Sequence, residues 1–226
     1  AEALAESFYA QFKEDAEELS FYEAIHLPEL LERAGRKKAR REVEENHDWF
    51  WRVLDAGDVY RTWGKLDEAL ELYQRCRGIA EELVQIRDTP EDQRDLSVSY
   101  NRVACIYEAQ GRMEKALKLY QQGFEIAEEL VQTRGTPEDQ RDLSVSYERI
   151  AGIYKAQGKL EEALKLYQKD LTIAEGLAQT RGTPEDQRDL SVSYNKVAAI
   201  YKAQGKLEEA LKLYQQGLAI RERLAQ

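Results

Sequence analysis

The string TPEDQRDLSVSY occurs three times without a change, beginning at Thr89, Thr136 and Thr183, so the copies are spaced 47 residues apart. A fixed period of this size constrains the fold more than any other feature. Each copy is one supersecondary unit that cannot bury its apolar face alone, and stacked neighbours supply the missing core. The match runs well past the opening string, and the second and third copies differ at about one position in five. One period before Thr89, the segment VLDAGDVYRTWGKLDEALELYQRCRGIAEELVQIRD is a fourth, diverged copy.

Each copy holds two apolar patterns of helical spacing separated by a glycine. Leu96, Tyr100, Val103 and Tyr107 fall at i, i+4, i+7 and i+11 on one stripe. Met113, Ala116, Leu117, Tyr120, Phe124, Ala127 and Leu130, widened by Leu119 and Ile126, form a broader one. The broad stripe predicts a helix packed on two neighbours, its own partner and the next repeat. AQG at Ala109, Ala156 and Ala203 predicts a helix end, since Gly111, Gly158 and Gly205 can take the left-handed conformation that closes a C-terminus. TPED predicts a helix start: Thr136 caps, Pro137 takes the first turn, and Asp139 completes a shortened capping box. Half of the repeated string is therefore a folding instruction.

The copies resemble the tetratricopeptide repeat. The residues that carry the likeness are Tyr100, Val103, Ala104, Tyr107, Gly111, Ala116 and Tyr120. They recur from Tyr147 to Tyr167 and from Tyr194 to Tyr214, with Val53, Ala56, Gly57, Tyr60, Gly64, Ala69 and Tyr73 in the diverged copy. The resemblance implies an all-α, right-handed superhelical solenoid of antiparallel helix hairpins. The period exceeds the family's usual one, so both helices are expected to be about 20 residues long, similar to the repeats of kinesin light chains. The family's small residue on the second helix is kept at Cys76, Gly123 and Gly217 but is Asp170 in the third hairpin.

The expected organisation is an N-terminal helical cap over 1–47, a diverged hairpin over 48–88, and repeats over 89–135, 136–182 and 183–226. In the cap, a stretch from Leu4 to Leu19 is amphipathic. It is followed by a helix, a turn at Gly35, a short helix and a break near His47 and Asp48 before a helix from Trp49 to Trp63. The cap is loosely similar to helical segments that precede sensor repeats in bacterial STAND signalling ATPases. The chain opens AEALAESF without Met, which suggests a processed protein or an excised segment.

A net charge of -10 and a pI near 5.0 disfavour nucleic acid and anionic membranes as partners. No apolar run is long enough to span a bilayer and no signal segment opens the chain, so a soluble, cytoplasmic protein is expected. Two cysteines, Cys76 and Cys105, are too few for a disulfide framework or thiolate metal cage. The only histidines are His26, beside an expected helix break, and His47, before a tryptophan pair. Neither has a nucleophile or ligand spacing near it, so no catalytic residue, metal or cofactor is expected. The basic run Arg33, Arg36, Lys37, Lys38, Arg40 and Arg41 is followed by Glu42, Glu44 and Glu45, which favours a solvated helix over a phosphate patch. Trp49, Phe50 and Trp51 read as core where the cap meets the first hairpin.

The resemblance also implies that the first helix of each hairpin lines a concave groove. The positions facing it are Arg94, Val98, Asn101, Arg102, Cys105 and Glu108; then Arg141, Val145, Glu148, Arg149, Gly152 and Lys155; then Arg188, Val192, Asn195, Lys196, Ala199 and Lys202. These rows carry more basic than acidic residues. The expected ligand is an extended or helical peptide bearing carboxylates, met by Arg102, Arg149 and Lys196 over a floor of Val98, Val145 and Val192. The opposing reading pairs these cations with carboxylates of adjacent helices. The family's carboxylate clamp is not supported, because its asparagine positions hold Asp58, Cys105, Gly152 and Ala199. The last hairpin keeps Leu211, Leu213, Leu218 and Ile220 with no polar capping helix after it, which predicts self-association or a further segment. The function expected is a non-enzymatic scaffold for a protein or peptide. The alternatives are a sensor segment of a larger signalling ATPase and a designed or structural array.

Overall fold

A computed structural model describes residues 2–225, and among these it contains eleven α-helices and no strand. The chain divides into two compact units, one ending at Gly111 and the other beginning at Arg112. The first holds α1 (Glu2–Glu14), α2 (Phe21–Arg33), α3 (Lys37–Glu44), α4 (His47–Thr62), α5 (Leu66–Ile86) and α6 (Pro90–Ala109). The second holds α7 (Met113–Thr133), α8 (Pro137–Ala156), α9 (Leu160–Thr180), α10 (Pro184–Ala203) and α11 (Leu207–Leu224). Helices α6 to α10 are 20 or 21 residues long, as the extended period requires.

The local signals act where the sequence puts them. Gly158 closes α8 at φ +75°: its amide donates to the Lys155 carbonyl and the Lys159 amide reaches back to Tyr154, a Schellman end. Gly135 and Gly182 take positive φ ahead of α8 and α10, and in the diverged copy Asp88 adopts the same conformation at φ 49°. Thr136 Oγ1 accepts from the Asp139 amide at 3.2 Å while Asp139 Oδ2 accepts from the Thr136 amide at 3.0 Å. Arg134, two residues before the cap, grips the same carboxylate through Nε at 2.9 Å and a terminal nitrogen at 2.6 Å. Arg87 does this for Asp92, and Arg181 approaches Asp186.

Burial opposes ionisation of Asp92, Asp139 and Asp186, yet the hydrogen bonds from threonine and the neighbouring arginines prevail and hold all three below the usual carboxylate pKa. Their stabilisation is therefore complete above an ordinary pKa of about 3.9 and is lost as pH falls through the lower native values. Circular-dichroism melts between pH 7 and pH 2 should hold steady in the upper range and then fall, and Arg134→Gln should move the fall to higher pH. A melting point indifferent to pH down to 2 would contradict this.

Within the second unit, Ala151, Ala163, Tyr167, Val197 and Ile200 pack as one core shared by α8, α9 and α10. Leu143 and Tyr147 join Ala127 of α7 in another. Tyr100 and Tyr107 of the first stripe are half-buried rather than enclosed, and the Tyr100 hydroxyl donates to Glu81 at 3.1 Å. In the first unit a Cβ at Gly57 would stand 2.4 Å from Tyr73 Cε1, so the α4–α5 crossing requires glycine there.

The cap departs from expectation at two places. The break expected beside His26 is absent: α2 starts at a Ser20–Glu23 capping box and runs through Pro28. Pro28 lacks the amide that would bond the Ala24 carbonyl, and the Trp49 indole, from α4, donates to that carbonyl at 2.8 Å instead. The Ile25 carbonyl one residue on takes Arg75 of α5 at 2.7 Å. Helix α4 begins earlier than expected, at His47, because Asn46 caps it by accepting from the Trp49 amide. Trp49 and Phe50 are buried, as read from the sequence, while Trp51 is half-buried and donates to Asp95 at 3.0 Å. The basic run spends charge inside the cap: Arg40 bonds Glu32 and Glu44, Arg33 bonds Glu29, and Arg36 pairs with Glu6.

Candidate functional site

Helices α8 and α10 lie side by side with α9 behind them, and between them is a cavity of about 160 Å³. Five residues expected at the groove line it: Arg141, Val145 and Glu148 from α8, and Val192 and Lys196 from α10. Arg149, Lys155, Arg188, Asn195 and Lys202 do not; Lys155, Arg188 and Lys202 are exposed, and Arg149 and Asn195 half-buried. In the first unit, Arg94, Val98, Asn101, Arg102 and Glu108 are half-buried on α6, with the Arg94 guanidinium 5.3 Å over the Trp51 ring.

Two of the cations expected to meet a carboxylate ligand, Arg102 and Lys196, are paired within the chain, as is Arg141. Arg102 pairs with Asp58 at 3.0 Å, across from α6 to α4. Lys196 pairs with Glu148 at 2.5 Å, across from α10 to α8. Arg141 bonds Asp186 at 2.6 Å and Asp189 at 3.2 Å and reaches Glu185 at 3.4 Å. Facing helices bring opposite charges within reach, and sequence spacing along a single helix does not display that.

Sequence reading missed the groove floor. Asp170 of α9 is 3% exposed, with Ser144 donating its hydroxyl to one carboxylate oxygen. Burial pushes its pKa up against the pull of Ser144, Lys196 and Ser193. Ala174 and Leu177 from the same helix, and Asp186, Asp189 and Ser193 from α10, complete the lining. The one signal that pointed there was the departure of Asp170 from the small-residue pattern. Asp189 is also held above its usual range, by burial and by Glu185 and Asp186, with Arg141 opposing.

Other candidate groups stand apart from this groove. His47 Nδ1 lies 2.9 Å from Asp95 Oδ2 and its pKa is raised chiefly by that hydrogen bond. Cys76 is enclosed, and burial pushes its thiol up to about 12, which leaves it protonated and unreactive near neutrality. On α11, Leu207, Leu211 and Leu218 are exposed, whereas Leu213 packs against the shared core and Ile220 is buried. No helix of the described residues is long and apolar enough to cross a membrane.

Sequence profiles of the tetratricopeptide repeat match residues 54–82, 96–138 and 142–223, which takes in most of the chain from the first hairpin onward. No curated protein matches the sequence significantly. Among solved structures, BtubC (BKLC) from P. vanneervenii superposes with a TM-score of 0.64 at 18% identity, over 98% of this chain and 88% of that one. A putative kinesin light chain from Podosopora anserina with nearly identical TPR-like repeats gives 0.54 at 22% identity, over 98% and 94%. A substituted form of that protein gives 0.56 at 21% over the same shares. At these identities the likeness is one of fold. With the 47-residue period, the glycine-closed hairpins and the matched profiles, the chain belongs to the tetratricopeptide repeat family, and its extended repeats are similar in fold to those of that putative kinesin light chain.

Proposed function

We propose that the chain is a non-enzymatic scaffold that receives an extended or helical segment of a partner protein between α8 and α10. Tetratricopeptide repeats build protein-interaction scaffolds, and the cavity supports a specific place for the contact. It offers apolar contact at Val145 and Val192 beside polar groups that set register. A carboxylate-bearing ligand, the polarity expected from the sequence, would have to displace Asp58 from Arg102 or Glu148 from Lys196.

A display library of random dodecapeptides, selected on the wild-type chain, tests the reading against Val145→Glu combined with Val192→Glu. Enriched peptides should lose about tenfold or more in affinity on the variant, as expected when hot-spot side chains at the centre of an interface are replaced by charge. Peptides that bind both proteins equally would place the contact elsewhere.

A second reading concerns α11. Leu160, Leu164 and Leu171 of α9 pack into the core shared with α10, and their equivalents one period on are the exposed Leu207, Leu211 and Leu218. A second copy of the chain, or a further helical segment, would cover this face. Sedimentation from about 1 to 100 μM, a range bracketing a micromolar association, should show a concentration-dependent dimer. Leu211→Glu with Leu218→Glu should abolish it, and a monomer throughout would exclude it.

A further inference from the structure

Asp170 stands where the other copies carry Cys76, Gly123 and Gly217, so its charge is peculiar to one hairpin. It is 3% exposed and lines the α8/α10 cavity. Its Oδ1 takes the Ser144 hydroxyl, but its Oδ2 is buried and accepts no hydrogen bond. The neighbouring donors are shared: the Ser193 hydroxyl, which also draws the Asp170 pKa down, donates to the Asp189 carbonyl at 3.2 Å, and the Lys196 ammonium sits 2.5 Å from Glu148. A buried carboxylate oxygen without a donor is costly, and a cation arriving at it recovers that cost.

The lining carries more acidic than basic side chains. Glu148, Asp170, Glu185, Asp186 and Asp189 face two cations, Arg141 and Lys196, although the sequence read the groove rows as basic. Val145 and Val192 stand on opposite walls and suit the alkyl stem of a long side chain. At about 160 Å³ the cavity holds several heavy atoms, against about 30 Å³ for a water. Among the described residues no group of three or more His, Cys, Asp or Glu is arranged to hold a metal ion, which leaves an organic cation.

We propose that this cavity receives one cationic side chain of the partner segment, a lysine ammonium or arginine guanidinium, on Asp170 Oδ2, with its stem between Val145 and Val192. The proposal rests on the groove reading above and assigns it a charge: the partner carries a basic residue at the register that meets the third hairpin. Because the equivalent position is small in the other copies, that register is fixed by a single residue.

The test uses three dodecapeptide display libraries with Lys, Leu or Glu fixed at the centre, selected on the full chain. The best Lys peptide and its norleucine analogue are then titrated by fluorescence anisotropy against wild type, Asp170→Asn and Asp170→Gly. Lys peptides should dominate the selection, and Lys to norleucine should cost about tenfold on wild type and close to nothing on either variant. Both variants should melt at or above the wild type, because each removes a buried carboxylate oxygen that lacks a donor, so lost binding is not lost folding. An equal norleucine penalty on wild type and Asp170→Gly, or a selection won by the Glu library, overturns the cation assignment and leaves the groove reading standing. Failure of all three libraries overturns both.

Discussion

Trp49→Ala is expected to destabilise the first unit by about 3–5 kcal/mol, the cost of emptying a large buried aromatic site. Trp49 is fully enclosed, and its indole is the donor that serves the Ala24 carbonyl left open by Pro28. The substitution therefore removes packing and strands a carbonyl inside α2 at the same stroke. Arg75, whose guanidinium lies 5.5 Å over the Trp49 ring and bonds the Ile25 carbonyl, loses one face of its seat. Trp49→Phe keeps most of the ring and drops only the donor, so it should cost about 1–3 kcal/mol, the penalty of one unsatisfied buried group. Urea unfolding followed by circular dichroism measures both. If Trp49→Ala cost less than the Phe substitution, Trp49 would not be what joins α2 to α4.

Arg141→Ala should cost about 2–3 kcal/mol, between the worth of an exposed pair and that of a buried pair broken on one side. Its guanidinium is half-buried and shared among Asp186, Asp189 and Glu185, so its loss leaves three carboxylates of α10 facing one another. Asp186 retains Arg181 at 3.4 Å and its own cap, which keeps the loss below the full buried-pair value. Lysine at 141 should restore less than half, since a single ammonium cannot serve Asp186 and Asp189 through a planar fork. Adding Asp189→Asn to Arg141→Ala should return part of the stability, because the substitutions share one network. Strict additivity of the two in urea unfolding would mean that Arg141 and Asp189 do not interact.

What the sequence displayed and what it hid divide along a physical line. The period, the glycine turns and the threonine caps act within a few residues of themselves, so Gly158 and Thr136 could be assigned from local chemistry alone. Arg134 escaped notice only because the box it grips looks complete without it. Features set by distant partners were not legible. A helix break is expected beside His26, and α2 runs on through Pro28 because Trp49, 25 residues beyond the Ala24 carbonyl, serves that carbonyl. For Arg102 and Lys196 the sequence leaves two readings open, a ligand carboxylate or one on an adjacent helix, and only the packing of α4 and α8 brings Asp58 and Glu148 against them. Asp170 was visible as an exception to the pattern, but its burial and the sign of the cavity around it required the neighbouring helices.

A partner segment seated in the α8/α10 cavity would alter the backbone environment of a defined set of residues. Amide chemical-shift perturbation, recorded while the enriched Lys peptide is added to the labelled chain, reads this out residue by residue. Shifts should gather at Ser144, Val145, Glu148, Asp170, Val192 and Lys196 and vanish in Val145→Glu with Val192→Glu. Shifts gathered on the cap or on α11, with these six residues unmoved, would contradict binding in this cavity.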